Sequence, residues 1–395
     1  MSSRKSFVCS APTATAFSRL RILFRPISSV IAVAAFLVTA LPAFSQTMTL
    51  AEIEALAGNA STPTAAPPLW SYTVTSSRDG QVYNGVAIGR SPYARGKTTT
   101  NIPTVIVPLV VSVGGVTFDP TAPLPASASA CYPASWTGKT PLQLTLESPV
   151  FTAPATDWTM SGQDVGKGQF DSVFQRAEFW ALIQGSSHQT VLKPVNVLPA
   201  QTVPASATAG FALATSSCAT SPDQATLGSL HGGNAWDTWL SGTLIPSLQA
   251  AGSINPGQFV FFLLYNVNFS DGYGYHYFLG TQTYGVSFFN GSDCCYPDIK
   301  SISHEVGDWM SDPYANNPAP AFVSTETSNA CQHDLEAGDP SNTLLSPPVT
   351  MPNGVTYRPQ ELTYFSWFMG APSLGAGGQY SNNNSFGTDA GPVCH

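Results

Sequence analysis

The sequence predicts an α+β protein, β-rich from residue 69 to about 220 and mixed from 221 to 395, where one chemically loaded helix organises the chain. Three observations carry this. Short β-prone runs broken by Asp-Gly, Gly-Gly and Pro fill the first part. Helical periodicity first appears at Asp171–Gln184 and returns at Asn234. The run SISHEVGDWMSDP, residues 301–313, places His304, Glu305 and Asp308 on one short helix.

Each element has its own signal. Arg4, Lys5, Arg19, Arg21 and Arg25 precede an apolar run from Val30 to Leu41, the pattern of an export signal over residues 1–45. That run is too short to span a bilayer. Ala43 and Ser45 are the small residues a signal peptidase accepts, so cleavage is expected before Gln46. Residues 46–68 read as an Ala-, Thr- and Pro-rich linker. WSYTVTSS and VYNGVAIG flank Arg78-Asp79-Gly80-Gln81, a hairpin signal because Gly takes the positive φ of a tight turn. TVIVPLVVSV, Gly114-Gly115 and VTFD predict a second hairpin, with Pro108 expected at an edge or bulge. LQLTLES is a strand candidate within a Pro- and Ser-rich stretch. Asp171–Gln184 reads as a helix capped by Asp171 and stopped by Gly185.

QTVLKPVNVLP and GFALATS return to strand. Asn234–Ala251 reads as a helix kinked at Pro246. QFVFFLLYNVNF is continuous enough for a buried strand, and HYFLGTQTYGVSFF alternates like a strand at a sheet edge. Arg358–Met369 reads as a helix with Pro359 in its first turn and Gly370 after its end. The Gly-, Ser- and Asn-rich tail needs Cys394 to tie it down.

Composition narrows the compartment. Charged residues make up 10% of the 395, against roughly 25% in ordinary soluble domains, so the surface is neutral and polar, as in exported proteins. A net charge of −8 leaves no basic stripe for a nucleic acid or an anionic membrane. Cys9 leaves with the signal, and Cys131, Cys218, Cys294, Cys295, Cys331 and Cys394 predict up to three disulfides. Adjacent Cys294 and Cys295 are expected to bond to different partners. The location implied is secreted, periplasmic or cell-surface, with no membrane span once the signal is removed.

The chemistry sits on the H-E-x-x-D helix. At about 100° per residue, Ile299, Ile302, Val306, Trp309 and Met310 share one face, with His304 and Asp308 opposite. Residues i and i+4 are neighbours on a helix, so His304 and Asp308 can address one ion. In H-E-x-x-H peptidases two His hold zinc and the Glu is the general base; here Asp308 replaces the second His. Two carboxylates and one imidazole suit a harder ion than two imidazoles do. Glu336 in DLEAGDP is the expected third ligand, with Asp339 and Glu361 as alternatives. His276 reads as an ordinary strand residue, with a place lining the cleft as its alternative, and His333, beside Cys331, as a loop residue, with contact to the site as its alternative.

SHEVGDWMSDP with LEAGDP, together with SSRDGQVYNGVAIGRSP, QRAEFW and QELTYFSWFMGAPS, resembles a family of secreted bacterial proteins carrying H-E-x-x-[ED], over nearly all of the mature chain. Residues 301–339 alone are distantly similar to the plant phosphate-induced, EXORDIUM-like secreted proteins. The resemblance implies a zincin-like metallohydrolase core over 221–395 and a divalent metal, zinc first. The family usually carries Glu where this chain has Asp308.

The function expected is a secreted metal-dependent hydrolase, a peptidase of the zinc type, with Glu305 as general base for a metal-activated water. Its partner is then an extracellular peptide or protein. The alternative is a non-catalytic extracellular or cell-surface module whose metal site is structural or vestigial. No carboxylate pair stands at a recognisable glycosidase spacing, which places a carbohydrate hydrolase third.

Overall fold

Both expected hairpins form, and they enter different sheets. β1 (Leu69–Thr75) and β2 (Val82–Ile88) pair antiparallel around Gly80, whose φ of 74° makes the turn. β3 (Thr99–Val113) and β4 (Val116–Phe118) pair antiparallel around Gly114 and Gly115, both at positive φ. The structure is a computed structural model that describes residues 66–94, 99–126, 131–228, 234–269, 272–292, 297–323, 331–388 and 394. The expected signal sequence and most of the expected linker lie outside these, as do Cys294 and Cys295.

β3 is the spine of a seven-stranded sheet. It runs parallel to β5 (Gln189–Val197) and β6 (Gln201–Thr202) on one side and to β7 (Phe259–Tyr265) on the other. Pro108 stands in a central strand rather than at an edge. The ladder to β5 ends at Ile106 and that to β6 begins at Leu109, so the missing N–H falls in the gap between two partners. Beyond β7 the stretch HYFLGTQTYGVSFF forms two strands, not one. β8 (Gly274–Leu279) and β9 (Gln282–Phe289) fold back on each other at Gly280, φ 62°, and β8 is the sheet edge. Strands from both sides of residue 220 therefore share one sheet, and the division expected there runs through a single compact unit.

Helices cover both faces, as alternation along the strands demands. Val260, Phe262 and Leu264 of β7 point to a core closed by Trp236, Leu240, Ile245 and Leu248. These come from α-helical Ala235–Trp239, a π-helical turn Leu240–Leu244 and Ile245–Ala250, which together replace the kinked helix expected at 234–251. Phe259, Phe261 and Leu263 point the other way, to Ile302, Val306, Trp309 and Met310 of the H-E-x-x-D helix. Trp309 stacks on Phe259 with ring centroids 3.9 Å apart. Small residues on β9 allow this approach, since a methyl at Gly285 would lie 3.2 Å from the Phe259 ring.

Three local expectations change. LQLTLES is a helix, α1 (Pro141–Leu146), because Thr140 and Gln143 form a reciprocal capping box and Pro141 opens the first turn. The helix expected at 171–184 is α2 (Phe170–Glu178) followed by α3 (Trp180–Ile183); Gln169 precedes it and Asp171 is buried within its first turn rather than capping it. The helix expected at 358–369 shrinks to Phe365–Phe368. Before it, Gln360, Leu362 and Thr363 give their amides to Ser303 Oγ, Asn382 Oδ1 and the Ala337 carbonyl, which holds this segment extended.

Cys131–Cys218 and Cys331–Cys394 are disulfides, compatible with an oxidising compartment, and the second ties down the tail as expected. Among the described residues no helix is long and apolar enough to cross a membrane.

Candidate functional site

The H-E-x-x-D helix spans Lys300–Ser311 and ends where Pro313 forbids continuation. Asp298 does not cap it in the usual way. It sits at φ 42° and its Oδ1 accepts from Ile299 N and Arg358 N. With one face sealed against the sheet, the opposite face carries His304, Glu305 and Asp308 beneath edge strand β8 and the segment 335–341. His304, Glu305, Asp308 and Asp339 are each at most 5% exposed, so their charges meet little water.

His304 is the centre. Its Nε2 lies 3.0 Å from Asp308 Oδ2 and 3.2 Å from Asp339 Oδ1. Its Nδ1 faces Gln360 Oε1 at 3.1 Å. The Gln360 amide is oriented because its Nε2 donates to the Gly338 carbonyl at 2.6 Å, so Oε1 must accept and His304 Nδ1 must carry the proton. In the neutral ring Nε2 is then the acceptor nitrogen, on the side of the two carboxylate oxygens. That tautomer, fixed by a partner behind the ring, is how metal-ligating imidazoles are commonly held.

The spacing fits an ion. Donors about 2.0–2.2 Å from a tetrahedral metal lie roughly 3.4 Å from one another, close to the 3.0 and 3.2 Å found here. Asp308 is fixed by its other oxygen, which accepts from Gly338 N at 2.5 Å. Gly338 has an ordinary backbone conformation, φ −81°. It is glycine for lack of space: a methyl there would lie 2.4 Å from His304 Nδ1.

Of the three candidates for third ligand, the structure brings Asp339 to the imidazole. Glu336 stands one step behind it, hydrogen-bonded to Asp339 and accepting from Gln332 Nε2 at 2.9 Å. Burial, and after it the charges of Asp339 and Asp308, push the Glu336 carboxyl well above its ordinary pKa. Glu361 points away. Ser381 Oγ, Ser385 N and Ser385 Oγ all donate to its carboxylate, which makes it an anchor for the C-terminal segment.

Glu305 lies between two imidazoles, Oε1 at 3.9 Å from His304 Nε2 and Oε2 at 3.8 Å from His276 Nδ1. Burial raises its pKa, against the hydrogen bond from His276 and the nearby imidazoles. For His276 burial alone would lower the pKa; the bond to Glu305 and the charges of Asp308 and Asp312 raise it on balance. Asp312 is pushed up to about 6 by burial, and burial also raises Asp334. The centre is thus a buried, acidic cluster with two imidazoles.

Sequence reading missed Gln360 and gave His276 a place at the cleft only as the alternative to an ordinary strand position. His276 lies on β8, which an accurate hairpin at Gly280 would have set beside the helix. Gln360 offered no signal beyond its neighbour Glu361. His333 is exposed on a short strand, Cys331–Asp334. Compared with known protein families, curated proteins and solved structures, the chain matches none.

Proposed function

We propose that this protein is an exported metal-dependent hydrolase of zincin-like type that cleaves peptide bonds. The observation that carries the reading is His304 Nε2 meeting Asp308 Oδ2 and Asp339 Oδ1 at ion-sized spacing, with Gln360 fixing the ring from behind. His304, Asp308 and Asp339 would hold the divalent ion, zinc or a harder metal. When bound, such an ion supplies Lewis-acid polarisation of a carbonyl and of water.

The chain's own groups do the rest. Glu305, held between His276 and His304, takes the proton of the attacking water and returns it to the leaving amine. Its raised pKa brings it nearer to neutrality, where both transfers are feasible. β8 is an edge strand that carries His276 over the site, and an extended peptide would pair along that edge. Export is supported by the signal-like leader and by the two disulfides.

The second reading, a non-catalytic extracellular module with a structural ion, is favoured by the cover over Glu305. A methyl at Gly274 of β8 would lie 2.7 Å from Glu305 Oε1, so backbone rests directly on the base. Metal content and cleavage of casein or peptide libraries decide between the two. The hydrolase reading expects bound metal, cleavage by the wild type, and loss of cleavage and of the ion held at His304 in His304→Ala, with cleavage lost in Glu305→Gln. Metal without cleavage leaves the structural module. Protein that takes up no metal, or equal cleavage by wild type and Glu305→Gln, removes the proposal.

A further inference from the structure

We infer that the cluster holds a second cation, bound by His276, Glu305 and Asp308, beside the one held by His304, Asp308 and Asp339. Two donor sets, each with its ligand atoms within 4.8 Å of one another, share Asp308. This rests on the proposed metal site, because Asp308 belongs to both.

Charge argues for it. Glu305, Asp308 and Asp339 are all less than a tenth exposed and bring three negative charges to a volume with little water. One divalent ion leaves that set short of neutral, before Asp312 and Asp334 are considered. An unbalanced buried charge is costly, because the surroundings solvate it far less well than water does. A second divalent ion covers the charge that one leaves unbalanced.

The second observation is His276 itself. It is 5% exposed, it faces Glu305 Oε2 through Nδ1, and its Nε2 has no hydrogen-bond partner among the described residues. A buried imidazole normally satisfies both nitrogens. Here one nitrogen is orphaned and the other is directed at a carboxylate. The 3.8 Å from Nδ1 to Glu305 Oε2 is wider than the donor spacings at His304 and suits an ion with longer bonds than zinc, such as manganese. Glu305 serves both ions' chemistry without conflict, since Oε2 is directed at His276 and Oε1 at His304. The competing account makes His276 an imidazolium, an internal cation in place of the second ion.

Stoichiometry separates these. Untagged full-length chain is stripped of metal, then titrated with Zn²⁺ alone and with Mn²⁺ alone, with bound metal measured by elemental analysis after dialysis. Thermal melts confirm that each variant is folded. Two equivalents in the wild type falling to one in His276→Gln, and one retained in His304→Ala, is the expected result. One equivalent in both wild type and His276→Gln overturns the second site and leaves the first standing. Two equivalents unchanged by His276→Gln place the extra ion elsewhere and also overturn it. No bound metal in the wild type overturns this inference and the proposed function together. A wild-type count of one or of none overturns the second site even if a variant fails to fold.

Discussion

Gly338→Ala tests the centre without touching any ligand. The added methyl would sit 2.4 Å from His304 Nδ1 and 2.8 Å from Cγ and Cε1, whereas ordinary contact begins at 3.4 Å. The imidazole must therefore retreat by about 1 Å, because Gly338 is held by Asp308 through its N–H and by Gln360 through its carbonyl. Metal sites tolerate roughly 0.2 Å in ligand position, so a shift of that size removes His304 as a ligand. The strain should cost about 1–3 kcal/mol in the metal-free protein. The stabilisation that zinc gives, about 2.7 kcal/mol at a hundredfold excess over Kd, should vanish. Melts with and without zinc measure both effects, and Gly242→Ala is the control because a methyl there meets nothing within 4 Å. The double variant with His304→Ala should recover the strain, since the methyl then enters space the ring has left. If Gly338→Ala keeps the wild-type zinc shift, the packing of this loop against a metal-ligating His304 is wrong.

Gln360→Ala should weaken metal binding by about 10–100-fold, the usual effect of losing the group that orients a ligating imidazole; a competition assay with a chromogenic chelator measures it, and unchanged affinity sinks the tautomer argument. Asp339→Asn should lose the ion held at His304, whereas Glu361→Gln should keep the wild-type metal count and lose roughly 1–3 kcal/mol through its serine contacts; an unchanged metal count in the first or a lowered one in the second reverses the ligand assignment. Glu178 is buried, accepts from Phe365 N at 3.1 Å, and has its pKa raised to about 8 by burial. A raised folded-state value stabilises fully below the unfolded value of 4.5 and is lost as pH climbs towards 8. Glu178→Gln should therefore gain on the wild type by up to about 5 kcal/mol between pH 4.5 and pH 8.5; parallel urea-unfolding curves for the two proteins across that range would refute the shift.

Much of the fold was legible where local and tertiary preferences agree. The two N-terminal hairpins and the buried run 259–265 form because their periodicity matches the faces they present. The H-E-x-x-D helix keeps its apolar face for the same reason. Sequence failed where a short-range signal was overlooked or overruled. Thr140-Pro141-Leu142-Gln143 carried a capping box that the β-like alternation of LQLTLES concealed. Residues 358–364 have good helical spacing, yet their amides serve Ser303, Asn382 and Ala337, so an extended crossing wins. Choosing among Glu336, Asp339 and Glu361 needed the third dimension, because three carboxylates near one loop differ only in where that loop and its neighbours turn.

The concentration of acid is itself informative. A chain with only 23 Asp and Glu places Glu305, Asp308, Asp312, Asp334, Glu336 and Asp339 around two imidazoles in one buried region. In metal-free protein this arrangement opposes folding as pH rises, since the carboxyls with raised pKa values must ionise away from water. A bound cation reverses the sign, because it favours the ionised form of the same groups and releases their protons. Stability between about pH 5 and pH 8 should therefore fall with pH in chelator and rise with pH in zinc. The same falling slope in both would mean that these carboxylates are neutralised by protons alone, and the cluster would have no cation to explain it.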